Sequence, residues 1–177
     1  MNIAMFLVEI GAGFAAQSVS LLADSVDFLG DAANYGISVF VLGMALQWRA
    51  RASLLKAASM AAFGLWIGVT TVHHAITGTV PAAPVMGAIA VLAFAANFAV
   101  AALLYRWREG DSNMRSVWIC TRNDAIGNLA VLAAAAGVFG SGAGWPDYAV
   151  AAIMSSLALW GAGQVILHAR SELRLSA

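Results

Sequence analysis

The stretch SVSLLADSVDFLGDAANYGIS, residues 18–38, is central to the fold, because it places three carboxylates within an otherwise apolar segment. Read as a helix, it spaces Asp24, Asp27, Asp31 and Asn34 three or four residues apart, so all four lie along one stripe. The other faces are apolar. An ionised aspartate near the centre of a bilayer costs about 2.5 to 3.5 kcal/mol, so this stripe needs a cation or protons if the helix crosses a membrane.

The composition of the whole chain indicates an integral membrane protein. Of its 177 residues, 62% are hydrophobic and only 10% are charged. The mean hydropathy of +0.82 lies well above that of a soluble domain. A soluble helical bundle would need polar outer faces, which most of the apolar runs lack. The formal net charge is zero, which gives no indication of a nucleic-acid partner.

The apolar runs predict an all-α, polytopic membrane protein with a single transmembrane domain over residues 1–177 and no soluble domain after it. Six helices are expected, at residues 2–17, 19–47, 55–77, 84–106, 115–140 and 147–170. Outside helix five, Lys and Arg fall at the connections after helices two and four and at the tail. By the positive-inside rule both termini face the cytoplasm, and we expect the chain in the inner membrane of a bacterium.

A second set of polar residues lies on the fifth predicted helix. Cys120, Asp124 and Asn128 are spaced by four residues and share one face. Helices two and five run in opposite directions, so Asp27 and Asp31 meet this face near mid-membrane if the two helices are neighbours. Carboxylates, an amide oxygen and a thiolate are suitable ligands for a divalent cation, whose charge offsets the cost of burying the acids.

The segments SLLADSVDFLGDA and RNDAIGN resemble the paired motifs of the cation diffusion facilitator family, which exports zinc and similar divalent metals in exchange for protons. The resemblance implies a metal site built from Asp27 and Asp31 on helix two and Asp124 on helix five. It extends to residues on the other helices, namely Glu9, Asn97 and Asp147. It also implies that a homodimer held by membrane helices is an arrangement open to this chain.

The chain departs from the family pattern at the fourth ligand, because Cys120 stands where many members have a histidine four residues before Asp124. Cys120 and Asn128 therefore compete for this position. A second departure is that the chain ends soon after helix six, without the cytoplasmic metal-binding domain that many members carry.

The expected partners are divalent metal ions, protons and the lipid bilayer, and no prosthetic group is expected. Three carboxylates and an amide favour manganese or iron, a thiolate favours zinc, cadmium or cobalt, and the resemblance puts zinc first. Because metal and protons compete for the same carboxylates, alternating access gives antiport by a secondary active transporter, not an enzyme. Two alternatives are an intramembrane aspartyl hydrolase and a non-transporting channel or metal-sensing membrane subunit.

Several of the acidic and thiol candidates also have a purely structural interpretation. Asp24 is either a pathway residue or a group that caps or hydrogen-bonds near a helix end. Asp27 and Asp31 would form structural ion pairs if Arg122 faced them. Cys120 would serve packing as a small residue.

The remaining polar candidates have the same two interpretations. Glu9 and Asn97 either line the cation pathway or bridge neighbouring helices, and Asn128 is a ligand or a packing amide. His73, with its neighbour His74, is either an exit-side group that takes metal or protons, or an ordinary interfacial histidine.

Overall fold

The structure, a computed structural model, describes residues 1–41, 43–107 and 112–175, and it describes only the backbone at Tyr35, Ser38, Leu46, Trp107, 112–120, Glu172 and Leu175. These ranges contain six α-helices and no strand, which confirms the predicted all-α fold. The helices are α1 (Asn2–Ala16), α2 (Val19–Val41), α3 (Leu46–Thr77), α4 (Ala83–Leu104), α5 (Ser112–Ser141) and α6 (Trp145–Leu175), and a short 3-10 turn, Tyr105–Trp107, follows α4.

Four of the helices, α3 to α6, are long and apolar enough to cross a membrane, as expected of an integral membrane protein. Helix α1 is apolar but has only 15 residues. At 1.5 Å per residue it is about 22 Å long, which is less than the hydrocarbon core of a bilayer. Helix α2 carries three aspartates and is not among the four. The place of α1 and α2 in the membrane therefore depends on packing against their neighbours.

Helices α1, α2, α4 and α5 pack as a four-helix bundle, and α3 and α6 pack along each other beside it, with α3 against α2 and α6 against both α2 and α5. An apolar cluster fills the bundle near the α1–α2 connection and contains Ala16, Leu21, Met86, Ala90, Val131, Ala134 and Ala135. A second apolar cluster, farther from that connection, contains Met5, Phe28 and Ala93. Asp24 lies between Leu21 and Phe28 on α2, so the bundle places it between two apolar regions.

The boundary between α2 and α3 differs from the prediction. Helix α2 ends at Val41 and α3 begins at Leu46, whereas the sequence placed these ends at residues 47 and 55. Extended backbone at Ala45, with φ −57° and ψ 153°, makes the turn, so the basic stretch expected in the connection forms the first turns of α3. Lys56 Nζ on α3 donates to Asn34 Oδ1 on α2 at 2.7 Å, which ties the two helices together.

Asp147, in the first turn of α6, caps the amino terminus of α2. Its fully buried carboxylate accepts hydrogen bonds from Ser18 Oγ at 2.7 Å, Val19 N at 2.8 Å, Ser20 N at 3.0 Å and Ser20 Oγ at 2.6 Å. The first N–H groups of a helix have no partners within the helix and favour negative charge, so Asp147 meets both needs. We call these four residues the α2 cap. It fixes α2 to α6 at the end of the bundle where the α1–α2 connection lies.

Candidate metal site

Helices α2 and α5 are neighbours in the bundle, and they bring three of the predicted ligands towards one another. The carboxyl groups of Asp31 and Asp124 lie within hydrogen-bonding reach of each other. Asp27 interacts electrostatically with both of them. Asp31 and Asp124 are half-buried and Asp27 is exposed. We call these three residues the carboxylate cluster.

The carboxylate cluster is not arranged as a coordination shell in this structure. Among the described residues, no three acidic, imidazole or thiol side chains surround a point closely enough to hold a metal ion. The fourth candidate, Cys120, lies outside the residues whose side chains are described. Arg122, considered above as an ion-pair partner, is exposed and donates to Asn123 Oδ1 at 3.1 Å. Metal binding would therefore require the carboxylates to close around the ion.

A second set of polar groups lies about one helical turn nearer to the α1–α2 connection, and it joins four helices. Asn97 Nδ2 on α4 donates to Asn128 Oδ1 on α5 at 2.9 Å, and Asn128 Nδ2 donates to Asp24 Oδ2 on α2 at 2.7 Å. Glu9 on α1 lies beside Asp24 and interacts with it electrostatically. All four side chains are buried, with at most 5% of any residue exposed. We call them the buried polar layer.

Three of the predicted site residues have hydrogen-bond partners within the buried polar layer. The amide of Asn128 is engaged at both ends, because its oxygen accepts from Asn97 and its nitrogen donates to Asp24. Asn97 therefore bridges α4 and α5, which is one of the two interpretations given above. Asp24 is held in the same network and does not cap a helix. None of the three is directed at the carboxylate cluster in this structure.

Glu9 has the least satisfied side chain of the layer. It is fully buried, and none of the described residues offers a donor to either carboxylate oxygen. The group within its hydrogen-bonding reach is another acid, the carboxyl of Asp24. A buried polar group without a partner is costly, and in native structures it usually indicates an absent proton, water or ion, or a functional role. The sequence identified Glu9 as a pathway candidate but gave no indication of this isolation.

His73 lies apart from the carboxylate cluster, near the end of α3. Its side chain is exposed, and its ring centroid is 6.0 Å from that of His74. His74 interacts electrostatically with Asp147, which places this pair beside the α2 cap. Asp27 lies two turns of α2 away from that cap. The two histidines therefore belong to the end of the bundle and not to its centre.

The α2 cap is the main feature that sequence reasoning missed. A local signal was present, because Ser18 and Ser20 stand at the start of α2, where hydroxyl residues commonly cap helices. The group that completes the cap, Asp147, lies 127 to 129 residues away along the chain. A single sequence carries no information about such a long-range pairing.

A comparison with known protein families matches residues 1–174 to the cation efflux transmembrane domain. No curated protein matches the chain. The family match covers α1 to α5 and nearly all of α6, and it includes both the carboxylate cluster and the buried polar layer. Proteins with this domain move divalent cations out across a membrane, so the match indicates a transporter rather than an enzyme. The chain belongs to the cation efflux family, as its resemblance to the cation diffusion facilitators predicted.

Proposed function

We propose that this protein exports a divalent metal ion, with zinc as its first substrate, from the cytoplasm in exchange for protons. The observation that carries the proposal is the carboxylate cluster, in which Asp31 and Asp124 approach each other from two neighbouring helices. Two carboxylates within hydrogen-bonding reach repel each other when both are ionised, so the site favours binding of either a proton or a cation. Exchange of one for the other is the chemistry of an antiporter.

The buried polar layer is closed off from one end of the bundle and the carboxylate cluster is more open, which supports entry of the cation from one side of the membrane. Leu21, Met86 and Val131 are fully buried between the buried polar layer and the α1–α2 connection. The carboxylate cluster is more open, since Asp31 and Asp124 are only half-buried. A cation therefore enters from the end where the α2–α3 and α4–α5 connections lie. By the positive-inside rule this end faces the cytoplasm of a bacterium, with both termini on the same side of its inner membrane.

The ligand set that we propose consists of Asp27, Asp31 and Asp124, with Cys120 in the fourth position. Of the two candidates for that position, Asn128 already has its amide engaged in the buried polar layer. Cys120 lies four residues before Asp124 on α5, so both side chains start from the same face of the helix. A thiolate ligand favours zinc, cadmium or cobalt over manganese or iron. A homodimer held by membrane helices is part of this proposal but does not affect the ligand set.

Metal flux into liposomes tests the function. The purified chain is reconstituted with a zinc-sensitive dye inside the vesicles, and a pH gradient is imposed across the membrane. Asp31→Asn and Asp124→Asn each remove a charged ligand, worth about 1.5 to 3 kcal/mol, and are expected to reduce uptake about tenfold or more. Asn123→Ala is the matched control, because Asn123 is exposed beside Asp124 and outside the carboxylate cluster. Its uptake should equal that of the wild type.

Each alternative predicts a different result. Saturable uptake that depends on the pH gradient supports antiport, whereas uptake that does not saturate indicates a channel. Zinc flux that survives both aspartate substitutions would contradict the ligand assignment. An absence of flux in any condition would favour a metal-sensing subunit. Cys120→Ser separates the ligand sets, because loss of zinc and cadmium binding with retention of manganese binding is expected only for a thiolate site.

A further inference from the structure

The buried polar layer contains two carboxyl groups side by side, and among the described side chains near them none supplies a balancing charge. Glu9 is fully buried, and Asp24 is 2% exposed. Asp24 receives one hydrogen bond, from Asn128 at 2.7 Å, and neither oxygen of Glu9 receives one from the described residues. Two adjacent carboxylates in an apolar region cannot both remain ionised at a reasonable cost.

The charged groups on the surrounding helices do not offset this pair. The sequences of α1, α2 and α4 contain no Lys, Arg or His. Helix α5 contributes Asp124, which is also acidic, and Arg122, whose side chain is exposed. Its other cation, Arg115, stands 13 residues before Asn128 in the sequence, and its side chain lies outside the described residues. The groups that α2 meets on α3 and α6 are His74 and Asp147 at the α2 cap and, at the opposite end, Lys56, which donates to Asn34. The near charges on α2 itself are Asp27 and Asp31, which add to the repulsion.

We propose that Glu9 and Asp24 form a proton-binding site that is separate from the metal site. One proton held between the two carboxyl groups removes the repulsion and supplies the donor that Glu9 lacks. Asn128 keeps Asp24 in place, since its Nδ2 donates to Asp24 Oδ2, and Asn97 in turn fixes the amide orientation of Asn128. The proton therefore resides on the Glu9 side of the pair, while Asp24 accepts from Asn128.

This site is placed so that the charge of the carboxylate cluster acts on it. Asp24 interacts electrostatically with Asp27 and with Asp124. Ionised carboxylates one turn away favour a proton on the Glu9–Asp24 pair, and a divalent cation that neutralises them removes this stabilisation. If the proposed metal–proton exchange operates, on which this step rests, the pair releases its proton when the metal binds. It then adds to the number of protons exchanged per ion.

Infrared spectroscopy of the full-length, metal-free protein tests the site without any transport measurement. At about pH 7, exposed carboxyl groups are ionised, and a protonated carboxyl gives a separate carbonyl band that shifts in deuterium oxide. We expect such a band in the wild type, in which the carboxylate cluster keeps its charges, and Glu9→Gln/Asp24→Asn should lose part of it. A proton shared by Asp31 and Asp124 gives a band that disappears in Asp31→Asn/Asp124→Asn instead. No band in the wild type, or an unchanged band in Glu9→Gln/Asp24→Asn, would overturn the proposal.

The proton count on metal binding tests the role of the site. Calorimetric titration with zinc in buffers of different ionisation enthalpy gives the number of protons released per ion. Glu9→Gln, which has nearly the same shape as the wild type, should bind zinc and release about one proton fewer. If Glu9→Gln loses part of the infrared band but releases as many protons per zinc ion as the wild type, the pair binds a proton that metal binding does not release. That result would contradict the coupling between the pair and the metal site. Zinc binding by the wild type without any proton release would refute the proposed exchange and leave the infrared result to decide the site.

Discussion

Removal of the carboxylate of Asp147 should destabilise the protein strongly, because this group satisfies four donors at the start of α2. In Asp147→Ala the hydroxyls of Ser18 and Ser20 can turn towards each other, since their oxygens are 3.4 Å apart. The backbone N–H groups of Val19 and Ser20 have no such freedom, and both residues are fully buried. At about 1 to 3 kcal/mol for each buried unpaired group, the loss is about 2 to 6 kcal/mol.

Unfolding in detergent micelles, followed by circular dichroism, measures this effect. Asp147→Asn keeps one acceptor and should fall between the wild type and Asp147→Ala, at a loss of about 1 to 3 kcal/mol. Ser156→Ala is the matched control on the same helix, because Ser156 is exposed and donates only to Ala152 O. It should stay within about 0.5 kcal/mol of the wild type. If Asp147→Ala unfolds within about 1 kcal/mol of the control, the α2 cap does not stabilise the bundle as described.

Two further substitutions near the α1–α2 connection can be measured in the same unfolding assay. A Cβ at Gly13 would lie 2.8 Å from Leu22 Cδ2 and 3.2 Å from its backbone nitrogen, so Gly13→Ala should cost about 1 to 3 kcal/mol. Gly11→Ala, with nothing within 4 Å, is its control and should not destabilise. Gln17 ends α1 with φ 53°, so Gln17→Gly should stabilise by up to about 1 kcal/mol. Equal stability of the two alanine variants would contradict the close contact, and a less stable Gln17→Gly would contradict the strain.

The parts of this structure that follow from periodicity could be predicted from the sequence. Apolar runs and the spacing of Asp24, Asp27 and Asp31 specify helices and the faces of those helices, because both depend only on nearby residues. The end of α2 was predicted too late, since the apolar run continues through the turn before Ala45 and the basic residues beyond it are helical.

The pairing of polar groups between helices could not be predicted in the same way. Asp24 and Asn128 are 104 residues apart, and Asn97 and Asn128 are 31 apart. The sequence offered Asn128 equally to the metal site and to helix packing. Its place in the buried polar layer depends on the rotation of α5 about its axis, which is set by apolar packing such as that of Val131 against α2 and α4. Helical periodicity predicts which of these residues share a face, but it does not predict which residues of the other helices pack against that face.

The energetics of α2 explain why its three acids need more than hydrogen bonds. If all were ionised near the bilayer centre, they would oppose insertion by about 8 to 10 kcal/mol. For Asp24, the hydrogen bond from Asn128 offsets part of the cost of burying the charge, since a hydrogen bond to a charged group is worth about 1.5 to 3 kcal/mol. Asp31 gains no such stabilisation from Asp124, whose carboxyl lies within its hydrogen-bonding reach and repels it when both groups are ionised. A positive charge between these two carboxyls would remove this repulsion, which is why the proposed exchange places a proton or a metal ion there in turn.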